Sequence, residues 1–251
     1  MRHDRPALAL AAALLLLTPL SGSATASPAA RHGTQLITAD APHAGATGGT
    51  VSWWERRGRA GRWMRVGSAP ARFGSGGLVA GERREQGTST TPAGVYGLPY
   101  AFGVKAAPPG TAYPYRRVTP DAWWCQDNAS ESYNRWVDPL PEDCRADEAE
   151  HLVTYAEQYA YGLVIGFNYD RPVRGRGAGI FLHVDGKGAT AGCVSVPEEA
   201  MVRILRWVRE DAHPRIAIRW AGTSTVRGAP PPEHRVPGAP SAGAPAERTR
   251  R

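Results

Sequence analysis

The chain has 251 residues, enough for one good-sized domain with terminal extensions or for two small domains. Hydrophobic residues make up 42% and charged residues 21%, a globular composition that excludes a fibrous or wholly disordered chain. The formal net charge is +7, but no Lys/Arg cluster with interleaved aromatic residues lies on a helix face, so we expect no nucleic acid partner. An anionic cell wall is the partner that the basic balance suggests.

The first 26 residues have the pattern of a signal peptide. Arg2 and Arg5 precede an apolar run at residues 7–17, which is shorter than the roughly 20 residues of a membrane span. Residues 24–26 (Ala-Thr-Ala) then supply a cleavage site. The sequence therefore predicts a secreted, cell-wall protein that begins at Ser27, without a membrane span after cleavage. An uncleaved anchor helix is the alternative.

A predicted linker and a predicted hairpin follow the signal peptide. Residues 27–47 are rich in Ala, Gly, Pro and Thr and are predicted to be a flexible linker, although residues 35–38 have the composition of a short strand. Residues 51–54 and 62–66 flank a Gly/Arg-rich turn at residues 57–61. This spacing predicts a β-hairpin.

Further elements are predicted in the middle of the chain. Residues 91–94 (Thr-Pro-Ala-Gly) are predicted to form a turn. Residues 162–167 and 179–184 have the character of two buried strands joined by a Gly/Arg loop. Residues 215–221 alternate apolar and polar side chains and predict a closing strand.

One helix is predicted between the last two strands. Pro197 falls in its first turn, beside two glutamates. Its apolar face is made by Met201, Ile204, Leu205 and Val208 at helical spacing. Residues 223–251 are rich in Pro, Ala, Gly and Arg and predict a disordered tail. The chain thus contains one mostly β domain, residues 48–222, between two mobile ends.

Cys193 and His183 are the candidate catalytic pair. A predicted strand carries His183, and a Gly-rich loop leads to Cys193. The thiolate is the nucleophilic form of cysteine, and a histidine within hydrogen-bond reach can accept the thiol proton. Backbone N–H groups at Gly192 are candidate oxyanion donors, because a small residue allows close approach of the substrate. A buried structural cysteine and a half-buried histidine are the alternative interpretation.

The segment after Cys193 has two expected roles. A helix starting at Ser195 or Val196 would place its partial positive charge near the sulfur and favour the thiolate. Ser195 and Glu198 have the spacing of a capping box, so we expect Ser195 to cap the helix. Asp185 cannot easily orient His183, which leaves a backbone carbonyl as the expected partner of the imidazole.

These residues resemble the L,D-transpeptidase catalytic-domain family. His183 and residues 190–193 (Thr-Ala-Gly-Cys) are similar to the family's His and S/T-x-G-C signature, and residues 91–94 resemble its T-P-x-G segment. Residues 133–136 and 164–168 are similar to segments of actinobacterial members. The family's His before the Gly is Ala191 here, and its Asn or Arg two residues after the Cys is Ser195.

The resemblance implies a mostly β, sandwich-type fold with one helix after the catalytic cysteine. It implies a monomeric cysteine acyltransferase without cofactor or metal. Cys193 would attack a peptidoglycan stem peptide, release its terminal D-Ala and form a thioester, which an amine of a second stem resolves as a crosslink. Such enzymes are also acylated by carbapenems. Thr190, Ser195 and Asn168 are the expected substrate-binding residues. An L,D-carboxypeptidase, in which water resolves the thioester, and a non-catalytic wall-binding domain are the alternatives.

Cys125 and Cys144 bracket an aromatic segment. Export permits a disulfide, which would close this loop and stabilise the fold by ~3 kcal/mol. A zinc site shared with Cys193 and His183 is the alternative, but the close cysteine pairs of structural zinc sites are missing.

Overall fold

The structure, a computed structural model, describes residues 33–57 and 61–223. Among these residues there are fourteen strands and one α-helix. The strands are β1 (Gln35–Ala41), β2 (Gly48–Glu55), β3 (Met64–Arg72), β4 (Leu78–Ala80), β5 (Thr91–Gly97), β6 (Ala101–Gly103), β7 (Tyr115–Arg117), β8 (Trp123–Cys125), β9 (Arg135–Val137), β10 (Ala149–His151), β11 (Gly162–Val164), β12 (Phe181–Val184), β13 (Val194–Val196) and β14 (Arg215–Trp220). The helix, α1, spans Glu198–Trp207. A mostly β fold with one α-helix after Cys193 is therefore confirmed.

Eleven of the described strands form one large sheet, in the order β4-β5-β14-β1-β2-β3-β13-β12-β11-β6-β7. The predicted hairpin is the β2–β3 pair, with an irregularity between Trp53 and Trp54. The two predicted buried strands are β11 and β12, which pair antiparallel. The predicted closing strand, β14, lies in the interior of the sheet between β5 and β1.

The predicted linker over residues 27–47 is wrong for its described part. Gln35–Ala41 is a seven-residue strand that is buried throughout and pairs with β2 and β14. Gln35 also receives the N–H of Arg209 and donates to the carbonyl of Trp207, which ties β1 to the end of α1. The short strand expected at residues 35–38 is present but continues to Ala41, and its apolar residues belong to the main core.

Side-chain alternation gives this sheet two separate hydrophobic clusters. The main core takes Ile37 of β1 together with the apolar face of α1, including Met201, Ile204 and Leu205. The second cluster is aromatic, with Phe102, Trp124, Tyr159 and Phe181 packed mostly edge to face, and it includes Cys193. The predicted apolar face of the helix is thus confirmed.

A small second sheet, in the order β10-β8-β9, forms an insert at residues 121–151. Cys125 and Cys144 form a disulfide within it, as expected from the sequence. These two sulfurs are therefore not available as zinc ligands. Asp127, which is buried, accepts hydrogen bonds from Arg145 and from the N–H of Ala129, and the hydrogen bond from Arg145 is the main cause of its lowered pKa. The insert is thus held by a covalent and an ionic link.

Within residues 33–57 and 61–223, no helix has the length and apolar character needed to cross a bilayer. The predicted signal peptide, residues 27–32 of the predicted linker, and the predicted tail beyond residue 223 lie outside the described residues.

Ile37 provides a test of the buried position of β1. Its side chain is fully buried in the main core. Ile37→Ala is expected to lower the free energy of unfolding by about 3 kcal/mol, because it removes buried methyl groups and leaves a cavity. Val66→Ala, at a half-exposed position of β3, is the control and is expected to change it by less than about 0.5 kcal/mol. Urea unfolding of both variants measures the difference, and equal stabilities would place β1 outside the core.

Candidate active site

The pairing of β12 with β13 brings the candidate nucleophile and base to one face of the sheet. The two strands are parallel, with Leu182 opposite Val194 and His183 opposite Ser195. Since successive side chains of a strand point to opposite faces, Leu182, Val184, Val194 and Val196 enter the main core. Cys193, just before β13, and His183 lie on the other face and line the same pocket.

The turn before Cys193 is shaped by Thr190 and Gly192. The hydroxyl of Thr190 accepts the N–H of Gly192 (3.1 Å) and donates to the carbonyl of Cys193 (2.7 Å). Gly192 has φ +131°, and a Cβ there would lie 2.9 Å from both the Thr90 carbonyl and Arg84 Nη2. Glycine is therefore required at this position. The predicted oxyanion donor, the Gly192 N–H, is bound to Thr190 in this conformation.

Thr91 links the T-P-x-G segment to the nucleophile. The segment is the start of β5 rather than the predicted turn. The fully buried hydroxyl of Thr91 accepts the N–H of Gly74 (2.8 Å) and donates to the carbonyl of Cys193 (3.3 Å). Two threonines from distant parts of the chain thus fix the same carbonyl, which holds the backbone of Cys193 in place.

His183 is buried and is oriented by a backbone carbonyl, as expected. Its Nδ1 lies 2.8 Å from the carbonyl oxygen of Val184, which can only accept a hydrogen bond, so Nδ1 carries the proton. This assignment leaves Nε2 as the basic nitrogen. Burial lowers the pKa of His183, which is the main effect, and the imidazole is neutral at pH 7.

The thiol of Cys193 is buried and protonated at rest. It donates to the carbonyl of Gly179 and receives the N–H of Phe181, each at 3.4 Å. Among the described residues it makes no hydrogen bond to His183. Burial, and to a lesser extent the charge of Glu150, raise the pKa of the Cys193 thiol to about 12, against the opposing effects of the Phe181 N–H and Arg84. The resting pair is therefore a thiol and a neutral imidazole.

The predicted capping box and helix dipole are wrong. Ser195 lies in β13, fully buried, and donates to Asp185 at 2.7 Å. Pro197 is the N-cap of α1, without a side-chain capping hydrogen bond, and the helix begins only at Glu198. Parallel pairing with β12 extends the chain after Cys193, so a strand separates the sulfur from the positive end of the helix.

Asn168, an expected substrate-binding residue, lies away from the pocket of Cys193. Its backbone is left-handed, with φ +50°. Its side chain donates to the carbonyls of Val173 and Gly177 and accepts the N–H of Val173. These contacts fold the loop that follows β11. Thr190 lines the pocket, whereas Ser195 is fully buried in β13 and does not line it.

The pocket around Cys193 has a volume of about 410 Å³. One wall comes from the insert and the segment after it, with Gln126, Glu150 and Tyr159. The Tyr159 hydroxyl donates to Glu150 Oε1 (2.5 Å), and its ring lies edge-on to the imidazole of His183, with 5.4 Å between centroids. Burial is the main cause that raises the pKa of Glu150 to about 7. The disulfide-closed insert is thus part of the site.

Arg84 is a further charged residue of this pocket. It is 5% exposed, lines the pocket, and stands over the ring of Phe167 at 5.5 Å. Sequence reasoning missed both Arg84 and Glu150. Single charged residues without motif spacing give no sequence signal, and only the fold brings them to Cys193. The described residues contain no group of three or more His, Cys, Asp or Glu side chains arranged to hold a metal ion.

A mostly β scaffold that places a thiol and an oriented imidazole in one pocket can support cysteine-dependent acyl transfer. The model of the L,D-transpeptidase catalytic domain matches residues 46–228, which include both motifs. The chain therefore belongs to the L,D-transpeptidase catalytic-domain family, whose members are cysteine-dependent transpeptidases that act on peptidoglycan. Searches of the curated proteins and of the solved structures give no match.

The charge of Glu150 is expected to suppress the reactivity of Cys193. Glu150→Gln removes a negative charge that raises the pKa of the thiol, so alkylation of Cys193 by iodoacetamide is expected to accelerate roughly three- to tenfold above pH 7. Below pH 7 wild-type Glu150 is itself protonated, and the two rates should converge.

Glu157→Gln, at an exposed carboxylate outside the pocket, is the control and is expected to alkylate like the wild type. Intact mass reports a single site, since Cys125 and Cys144 are paired. A ratio of rates that does not change with pH would contradict the electrostatic explanation.

Proposed function

We propose that this protein is a peptidoglycan L,D-transpeptidase that crosslinks stem peptides through a thioester on Cys193. The observation that carries the proposal is the pocket shared by the Cys193 thiol and the His183 imidazole, with Nδ1 bound to the Val184 carbonyl and Nε2 left as the base. Family membership supports the same reaction class.

In the first half-reaction the sulfur of Cys193 attacks the carbonyl carbon that precedes the terminal D-Ala of a donor stem. The thiol must first exchange its hydrogen bond to Gly179 for one to His183, a contact of the kind that tightens when substrate binds. The thiol proton moves to Nε2 and then to the departing amine. The C–N bond breaks, D-Ala leaves, and a thioester remains.

In the second half-reaction an amine of another stem attacks the thioester carbon. His183 accepts a proton from this amine, the C–S bond breaks, and the proton returns to the sulfur. The product is an amide crosslink between two stems. Since the Gly192 N–H is bound to Thr190, we assign the N–H of Cys193 as the backbone donor to the oxyanion.

We further propose that the reaction takes place outside the cytoplasm. The Cys125–Cys144 disulfide supports an oxidising compartment, and the N-terminal pattern of the sequence supports export. Peptidoglycan stems are accessible in the same compartment.

Replacement of the two catalytic residues tests the mechanism. Cys193→Ser is expected to abolish both release of D-Ala from a tetrapeptide stem and the carbapenem adduct seen by intact mass. His183→Ala is expected to slow both reactions by roughly 10²–10⁴-fold, because the proton acceptor is lost. His43→Ala, at an exposed histidine, is the matched control and should react like the wild type. Near-wild-type turnover of Cys193→Ser would refute the mechanism, whereas a wild type without turnover or adduct would favour a non-catalytic wall-binding domain.

Product analysis with and without an acceptor amine separates transfer from hydrolysis. The transpeptidase is expected to yield the crosslinked dimer when a second stem is supplied, with the tripeptide as a minor product. Tripeptide as the sole product at every acceptor concentration would identify an L,D-carboxypeptidase and leave the acylation mechanism intact.

A further inference from the structure

Arg84 is a buried cation in the pocket that the proposed proton transfers do not use. Only 5% of the residue is exposed, and no carboxylate oxygen of a described residue lies within ion-pair distance. Burial lowers the pKa of Arg84, and the groups that favour its charge are Cys193, Tyr133 and Tyr96, none of which is an anion at pH 7. Burial of a guanidinium without a carboxylate partner in the protein destabilises the fold, and a bound anion from outside the protein would offset this cost.

Two hydrogen bonds fix the plane of this guanidinium. Nε donates to the carbonyl of Thr90 (2.8 Å) and Nη1 to the carbonyl of Arg176 (3.0 Å). Nη2 makes no hydrogen bond to a described residue. It lies 2.9 Å from the point where a Cβ on Gly192 would be, immediately beside the turn that carries Cys193. Nε and Nη1 of the guanidinium therefore bind backbone carbonyls, whereas Nη2 lies beside Gly192, the residue before Cys193.

We propose that Arg84 binds the terminal carboxylate of the donor stem. This assignment rests on the proposed function. The carboxylate carbon of the leaving residue lies only ~3.5 Å from the scissile carbonyl carbon, across one N–Cα unit. When the scissile carbonyl of a substrate contacts the sulfur of Cys193, the terminal carboxylate therefore lies near the neighbouring residue, Gly192. Arg84 Nη2 is beside Gly192 and can donate a charge-assisted hydrogen bond to that carboxylate.

The contact makes Arg84 a specificity-determining residue. A donor that ends at the leaving residue supplies the missing anion. A stem that continues beyond this residue, or that ends in a carboxamide, leaves the cation buried and unpaired. Discrimination is large when a site built for a polar group meets an analogue that lacks it. Arg84 would thus restrict cleavage to the last peptide bond of the stem.

The test compares two donors that differ in one group. One tetrapeptide stem ends in a free carboxylate and the other in a carboxamide, and release of the terminal residue is followed by mass spectrometry for wild type, Arg84→Gln and Arg84→Lys. The wild type is expected to favour the carboxylate donor by roughly 100-fold in kcat/KM. In Arg84→Gln this preference should fall to about threefold or less, through loss on the carboxylate donor alone, and Arg84→Lys should keep part of it.

Arg83→Gln removes a neighbouring exposed arginine and is expected to retain the wild-type preference. Thermal unfolding checks that the Arg84 variants fold. If Arg84→Gln does not fold, the comparison of the two donors on wild type alone still decides. Equal kcat/KM for both donors, or equal loss on both in Arg84→Gln, would overturn the carboxylate assignment. Release of nothing from either donor by wild type would instead refute the proposed function.

Discussion

The parallel pairing of β12 with β13 is the constraint on which the site depends. Side chains alternate between the two faces along both strands. When the apolar residues at one set of positions pack in the main core, His183 and Cys193 are therefore placed on the opposite face. A slip of one residue in either strand would bury the catalytic side chain in the main core and expose an apolar one. The carbonyl of Cys193, held by Thr190 and Thr91, fixes the point at which this pairing begins.

Two groups of opposite charge, Arg84 and Glu150, line the pocket of Cys193. Arg84 lowers and Glu150 raises the pKa of the Cys193 thiol, while burial dominates both effects. The resting thiol is consequently protonated, and the proposed mechanism requires its proton to move to His183 as the C–S bond forms. In the proposed mechanism the site is therefore activated when the substrate binds and excludes water, and not by a thiolate that exists beforehand.

Much of this arrangement could be predicted from local patterns, and the failures have physical causes. The hairpin, the two buried strands and the amphipathic helix have strong periodicity, and the His183/Cys193 motif is specific. Ser195 has the spacing of a capping box with Glu198. Its place in β13, opposite His183 of the neighbouring strand β12, and its hydrogen bond to Asp185 override this local preference. Only residues 35–38 of β1 were expected, because Ala39 and the Ala- and Gly-rich residues after it resemble a linker. Arg84 and Glu150 become site residues only through contacts between distant parts of the chain.

The Cys125–Cys144 disulfide takes no part in the proposed chemistry, but it stabilises an insert that contacts the site. Asn134, held in a left-handed conformation, accepts the N–H groups of Trp124 and Gly179 with one side-chain oxygen. Gly179 in turn receives the thiol of Cys193. The same insert supplies Glu150, which binds Tyr159 beside His183. The insert therefore positions both the resting partner of Cys193 and the aromatic wall behind His183, so loosening the insert is expected to disturb both candidate catalytic residues together.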